Sequence, residues 1–134
     1  MEHLKDIQNR DDIVFLIDEF YKRVVKDELI GYFFTEIVVL QWETHILVMI
    51  DFWESMIFGS MKYKGNPMVK HIELNRKEPM LPKHFERWLS LWVTTVNEFF
   101  CGVHADEAIK RARLIAEIMQ NKLHPQVIQL TGPI

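Results

Sequence analysis

Apolar residues recur three and four positions apart along four separate stretches of this chain, and no stretch alternates with a period of two. That spacing puts them on single stripes of helices and leaves nothing to cover the faces of a sheet. Ile13, Leu16, Ile17, Phe20 and Val24 make the first stripe, with Tyr21 at its edge and Asp11 and Asp12 placed to cap it. This helix is expected to run to about Asp27, and a short turn over Leu29 to Phe34 follows. Trp42, His45, Ile46, Met49, Phe52, Trp53 and Met56 share a second face, with Glu43, Asp51, Glu54 and Ser55 elsewhere and Gly59 as the stop. Asn66 and Pro67 read as the cap and first residue of a short helix that carries His71 and finishes by Leu74 or Asn75. Pro82 opens a long helix with Phe85, Trp88, Leu89, Trp92, Val93, Val96, Phe99 and Phe100 on one side and Gly102 at its end. A last helix buries Ala108, Ala112, Ile115, Met119 and Leu123, its alanines permitting close approach. The fold class is all-α. A plain four-helix bundle has no use for a capped short helix between its second and third long ones, so the middle of the chain has another task.

Composition removes several classes of function. The chain has 134 residues, 49% hydrophobic and 26% charged, which fits one domain over residues 1–134 with a core of its own. A net charge of −3 with scattered Lys and Arg offers no basic stripe for nucleic acid. The apolar windows Ile37 to Leu40 and Ile46 to Ile50 are far too short to span a membrane, and Met-Glu-His-Leu-Lys-Asp has no signal core. One cysteine, Cys101, makes no internal disulfide and reads as a small buried residue near a helix end; a reducing cytoplasm is expected.

The surplus is in bulky side chains: nine Phe, four Trp, three Tyr and seven Met. Among six histidines there is no HxxxH pair, so dinuclear and zinc sites find no support. His84, His104 and His124 sit in polar loop or helix-end surroundings and read as solvated, and His3 lies in the terminus. His45 and His71 are different, since both lie among apolar residues. Each alone reads as a hydrogen-bonded core histidine, and the aromatics as an ordinary core. Together they also suit a flat apolar cofactor with a central metal, which needs an imidazole on one face and large apolar side chains around its edge.

The chain resembles the truncated haemoglobins, specifically group III. The resemblance rests on Glu-Phe-Tyr-Lys-Arg-Val (19–24), Tyr-Phe-Phe (32–34), Trp-Glu-Thr-His (42–45), Asp-Phe-Trp-Glu-Ser-Met (51–56), Tyr-Lys-Gly-Asn-Pro-Met-Val-Lys-His (63–71), His-Phe-Glu-Arg-Trp-Leu-Ser-Leu-Trp (84–92) and Arg-Ala-Arg-Leu-Ile-Ala (111–116). These pieces run in family order, and the absence of Gly-Gly pairs favours the third group over the first two. Residues 75–81 are longer than the compact link usual in the family.

The resemblance implies a two-over-two helical sandwich around non-covalent haem b, held within about residues 11–124. His71 matches the proximal iron ligand, Tyr21 and Trp88 the ligand-stabilising distal pair, and Phe34 the phenylalanine on the porphyrin. His45 takes the place of the residue that guards the distal side, from which it could also close the site by binding iron. Met49, Phe52, Trp53, Met56 and Met68 supply the haem's apolar edge, with Trp53 and Trp92 serving equally as core. The implied partner is dioxygen or another diatomic gas. Peroxide or nitric oxide turnover with a reductase is a second outcome of the same site. Two further readings stay open: a haemless globin-like sensor, which would purify colourless, and a helical module that takes a small molecule in the same cavity.

Overall fold

A computed structural model describes residues 4–37, 42–60, 63, 65, 75 and 78–123. The expected short helix from Pro67, with Met68 and His71, lies outside the described residues, as do the side chain of Trp42 and both His3 and His124. The elements are α1 (Arg10–Val24), a π-helical turn (Phe33–Ile37), α2 (Trp42–Phe58), α3 (Pro82–Phe99) and α4 (Val103–Leu123). No strand occurs among the described residues. α1 packs on α2 and α3 packs on α4; the first pair lies across the second through α1 against α3 and α2 against α4.

α1 starts at Asn9 and not at the aspartates. The Asn9 carboxamide accepts from Asp12 N at 3.0 Å, and the Asp12 carboxylate accepts from Gln8 N at 2.8 Å, so two amides at the helix start are satisfied reciprocally. The expected stripe of Ile13, Leu16, Ile17, Phe20 and Val24 is buried, with Tyr21 beside it. The helix stops at Val24, short of Asp27, whose carboxylate instead accepts from Leu29 N and Ile30 N, each at 3.0 Å, and from Arg87 Nε at 2.7 Å. The chain then doubles back so closely that a Cβ on Gly31 would lie 2.9 Å from the Val25 carbonyl oxygen; only glycine fits.

α2 ends at Gly59 as expected, in the left-handed region at φ +74°. Ile50, Phe52, Trp53 and Ile57 are its buried residues. Glu54, expected on the polar side, is buried as well. Its charge is matched because Arg10 reaches across from α1, with Nη1 at 3.2 Å from Glu54 and 2.8 Å from Asp51.

α3 ends at Phe99, earlier than Gly102. Phe100 turns extended and pairs with Lys5, and Cys101 N donates to the Lys5 carbonyl at 2.9 Å. This pairing leaves Cys101 on the surface, exposed and not buried as expected. The neighbouring Asp6 carboxylate caps α4, accepting from His104 N at 2.9 Å and Ala105 N at 2.8 Å. α4 buries Ala105, Ala108, Ala112, Ala116 and Met119, with Ile115 and Leu123 half-buried. Four small side chains let α3 come close enough for the fully buried Trp92 to donate its indole N–H to the Ala108 carbonyl at 3.1 Å.

His84 is also buried, contrary to the solvated reading. It lies at the first turn of α3, where Nδ1 accepts from Leu81 N at 2.9 Å and the ring meets Phe33 edge-on at 5.0 Å. His104 keeps part of its surface in solvent but donates from Nδ1 to the Ile7 carbonyl at 2.6 Å. Among the described residues, no helix is long and apolar enough to cross a membrane.

Candidate functional site

Tyr21 leaves the buried stripe of α1 toward the N-terminal half of α2. There His45, partly exposed on the first turn of α2, brings Nε2 to 3.0 Å from the Tyr21 hydroxyl oxygen, the rings meeting edge-on at 5.3 Å. Phe34, carried by the π-helical turn, closes on the same phenol from the other side at 5.9 Å. The three residues expected from distant parts of the sequence are therefore in one cluster. Trp88 joins through an intermediary. Phe20 touches Tyr21 at 5.3 Å on one edge and Trp88 at 6.2 Å on the other, so Trp88 flanks the cluster from α3.

Burial pushes the Tyr21 phenol well above its ordinary pKa, so it stays a neutral hydroxyl. Its contact with His45 has two forms. Either the phenol donates to an unprotonated Nε2, or Nε2–H donates to the phenol oxygen.

Apolar residues carried by the same elements and by α3 are incompletely covered. Phe34, Ile46, Met49, Met56, Trp88 and Leu89 are each half-buried against the core. Met49 and Met56 follow His45 along one side of α2, and Phe52 between them is nearly closed off by Trp53 at 5.4 Å and Tyr63 at 5.0 Å. Trp53 itself faces inward, stacked on Trp92 at 4.3 Å. Tyr63 and Ser55 were not singled out from the sequence. Ser55 Oγ accepts from Tyr63 N at 3.2 Å and so fixes the chain as it leaves α2 toward residue 71. The only sequence signal for Tyr63 is its place at the head of the 63–71 piece.

This donor set fits a flat apolar group with one polar spot. Hydrogen-bonding side chains meet at Tyr21 and His45, Phe20 and Phe34 lie against the phenol, and further half-covered aromatic and thioether side chains line α2 and α3. Among the described residues no three His, Cys, Asp or Glu side chains cluster to hold a bare metal ion. Met68 and His71 lie outside the described residues.

No family model matches the chain. A curated group 3 truncated haemoglobin of Campylobacter jejuni is 30% identical over 119 residues, covering 87% of this chain and 91% of that protein. The chain belongs to the group III truncated haemoglobins. The crystal structure of the group III truncated haemoglobin from Campylobacter jejuni matches this truncated haemoglobin with a TM-score of 0.79 at 29% identity, over 91% of this chain and 96% of that one. The pairing of α1 and α2 across α3 and α4 is accordingly the truncated globin fold, and membership implies a haem cofactor.

Proposed function

We propose that this truncated haemoglobin holds haem b non-covalently, with His71 as the protein ligand of the iron, and binds dioxygen or another diatomic gas on the Tyr21 side. The observation that carries this reading is the Tyr21–His45 pair, 3.0 Å apart and set among half-covered apolar side chains. When bound, haem supplies a ferrous iron that passes electron density to a diatomic ligand and makes its outer atom partly negative.

The chain's part is to place donors against that charge. Tyr21, kept protonated by burial and held by His45 at 3.0 Å, carries the hydroxyl that would turn toward a bound gas. Trp88 offers an indole N–H from α3. Each such bond, if charge-assisted, is worth about 1–3 kcal/mol. Carbon monoxide, being less polarised, gains less from the same donors. Phe34, Met49, Phe52, Met56 and Met68 provide the apolar edge that excludes water, and Trp53 supports them from the core. His45 is engaged with Tyr21, which favours an iron left open on this side over one closed by His45. Slow release of the gas suits retention or redox turnover with a reductase better than transport.

An absorption spectrum of the purified protein, before and after dithionite, tests the reading. Haem bands with a single axial nitrogen in the ferrous state are expected. Protein that stays colourless after expression with ample haem would remove the haem assignment, and a ferrous spectrum with two axial nitrogens would remove the open site.

A further inference from the structure

Three indoles stand in a ladder through the middle of the molecule. Trp88 and Trp92 are nearly parallel, 6° apart with centroids at 6.4 Å; Trp92 and Trp53 stack at 4.3 Å and 22°. Phe52 continues the line, its ring 5.4 Å from Trp53 and 5.0 Å from Tyr63. The two ends are half-buried, Trp88 flanking the Tyr21–His45 pair and Tyr63 on the segment leaving α2, whereas Trp92 is wholly buried. Indoles and phenols are the side chains that most readily lose one electron, and electron exchange weakens steeply with separation, so contact between successive rings decides whether a line of them conducts. The Trp92 N–H, held by the Ala108 carbonyl at 3.1 Å, places a negative dipole end against a ring that would carry positive charge.

We propose that Trp88, Trp92, Trp53 and Tyr63 relay single electrons from a reductant in solution to the haem site, restoring haem that a hydroperoxide has oxidised. The relay rests on the haem reading above. A hydroperoxide takes two electrons and two protons in becoming an alcohol and water, and leaves the haem two electrons short. In each passage Trp88 gives up one electron and is refilled by Trp92, Trp92 by Trp53, and Trp53 by Tyr63 across the Phe52 ring, which touches both and is not itself oxidised. Tyr63 releases its phenolic proton to solvent. A thiol, enediol or phenol then returns one electron to Tyr63, which takes back a proton, and two passages complete the cycle. Tyr21 is the competing donor, because it lies in the site with His45 at 3.0 Å to take its proton.

The test mixes the ferric protein with hydrogen peroxide, freezes it rapidly and records electron paramagnetic resonance for the parent, Tyr63→Phe, Trp53→Phe and Trp92→Phe. The expected parent signal is a phenoxyl radical, replaced by an indole radical in Tyr63→Phe. Blocking the ladder with Trp53→Phe or Trp92→Phe is expected to abolish the phenoxyl signal and strand oxidation on Trp88, read by mass spectrometry of its peptide. Azide radicals from pulse radiolysis oxidise indoles without help from haem. Run on the protein as purified, they should give an indole band that converts to a phenoxyl band at a rate independent of protein concentration, except in Tyr63→Phe. Conversion after the pulse with no protein radical after peroxide would overturn haem as the destination of the relay, whereas failure of the haem reading itself would show as protein without haem bands before peroxide is added. A phenoxyl signal that survives Tyr63→Phe, or one confined to Tyr21, would overturn the relay while leaving gas binding untouched.

Discussion

At the scale of single residues, Tyr21 is the side chain on which gas retention turns. Replacing it by Phe removes the hydroxyl and keeps the ring, so dioxygen dissociation is expected to quicken about ten- to a hundredfold. Displacement by carbon monoxide in a stopped-flow instrument measures this, and a parental rate would contradict the assignment. Trp88→Phe should act in the same direction. His84 sets a different dependence. Desolvation, helped by the charge of Lys83, lowers its pKa from the ordinary 6.5 in the folded state. Unfolded chains then bind the proton more readily, so stability is full above pH 6.5 and falls as pH drops toward the lower folded value. Urea unfolding across that window should show the loss in the parent and a flatter profile in His84→Gln. The sequence pointed to His45 because it sits on an apolar stripe, and to Tyr21 through the family resemblance. It did not reveal His84, because what buries that ring is Phe33 and an amide at Leu81, one of them about fifty residues away and neither visible in local spacing.

At the scale of elements, the alanines of α4 govern how near α3 can come. Ala112→Leu would press a larger side chain into the fully buried seam beside Ala108, and a loss of about 1–3 kcal/mol is expected from overpacking, measurable as a lower urea midpoint with an unchanged slope. All four long helices were legible, since each carries an apolar stripe. Their ends were less so. α1 stops early because Asp27 serves the following turn and Arg87, and α3 stops early because Phe100 finds a partner in Lys5. Glu54 shows the same limit, for a helical wheel of α2 cannot know that Arg10 waits on another helix.

At the scale of the whole molecule, haem retention should hang on His71. His71→Gly is expected to lose its pigment on desalting and to recover the bands when imidazole is added to the solution with haem; firm retention with unchanged colour would sink the assignment. The fold and family could be read because ordered pieces of sequence span most of the chain. The ladder of indoles could not, because Trp53 and Trp92 lie on helices from opposite layers and only packing brings them face to face. One further tie joins the two ends of the chain's path. Asp6 closes on the amides of residues 104 and 105, nearly a hundred positions downstream. Asp6 therefore caps a helix whose first turn lies far downstream of it in sequence. Closing a loop of that length costs entropy that nearer contacts do not, so this cap draws its stability from the packed helices between its two halves.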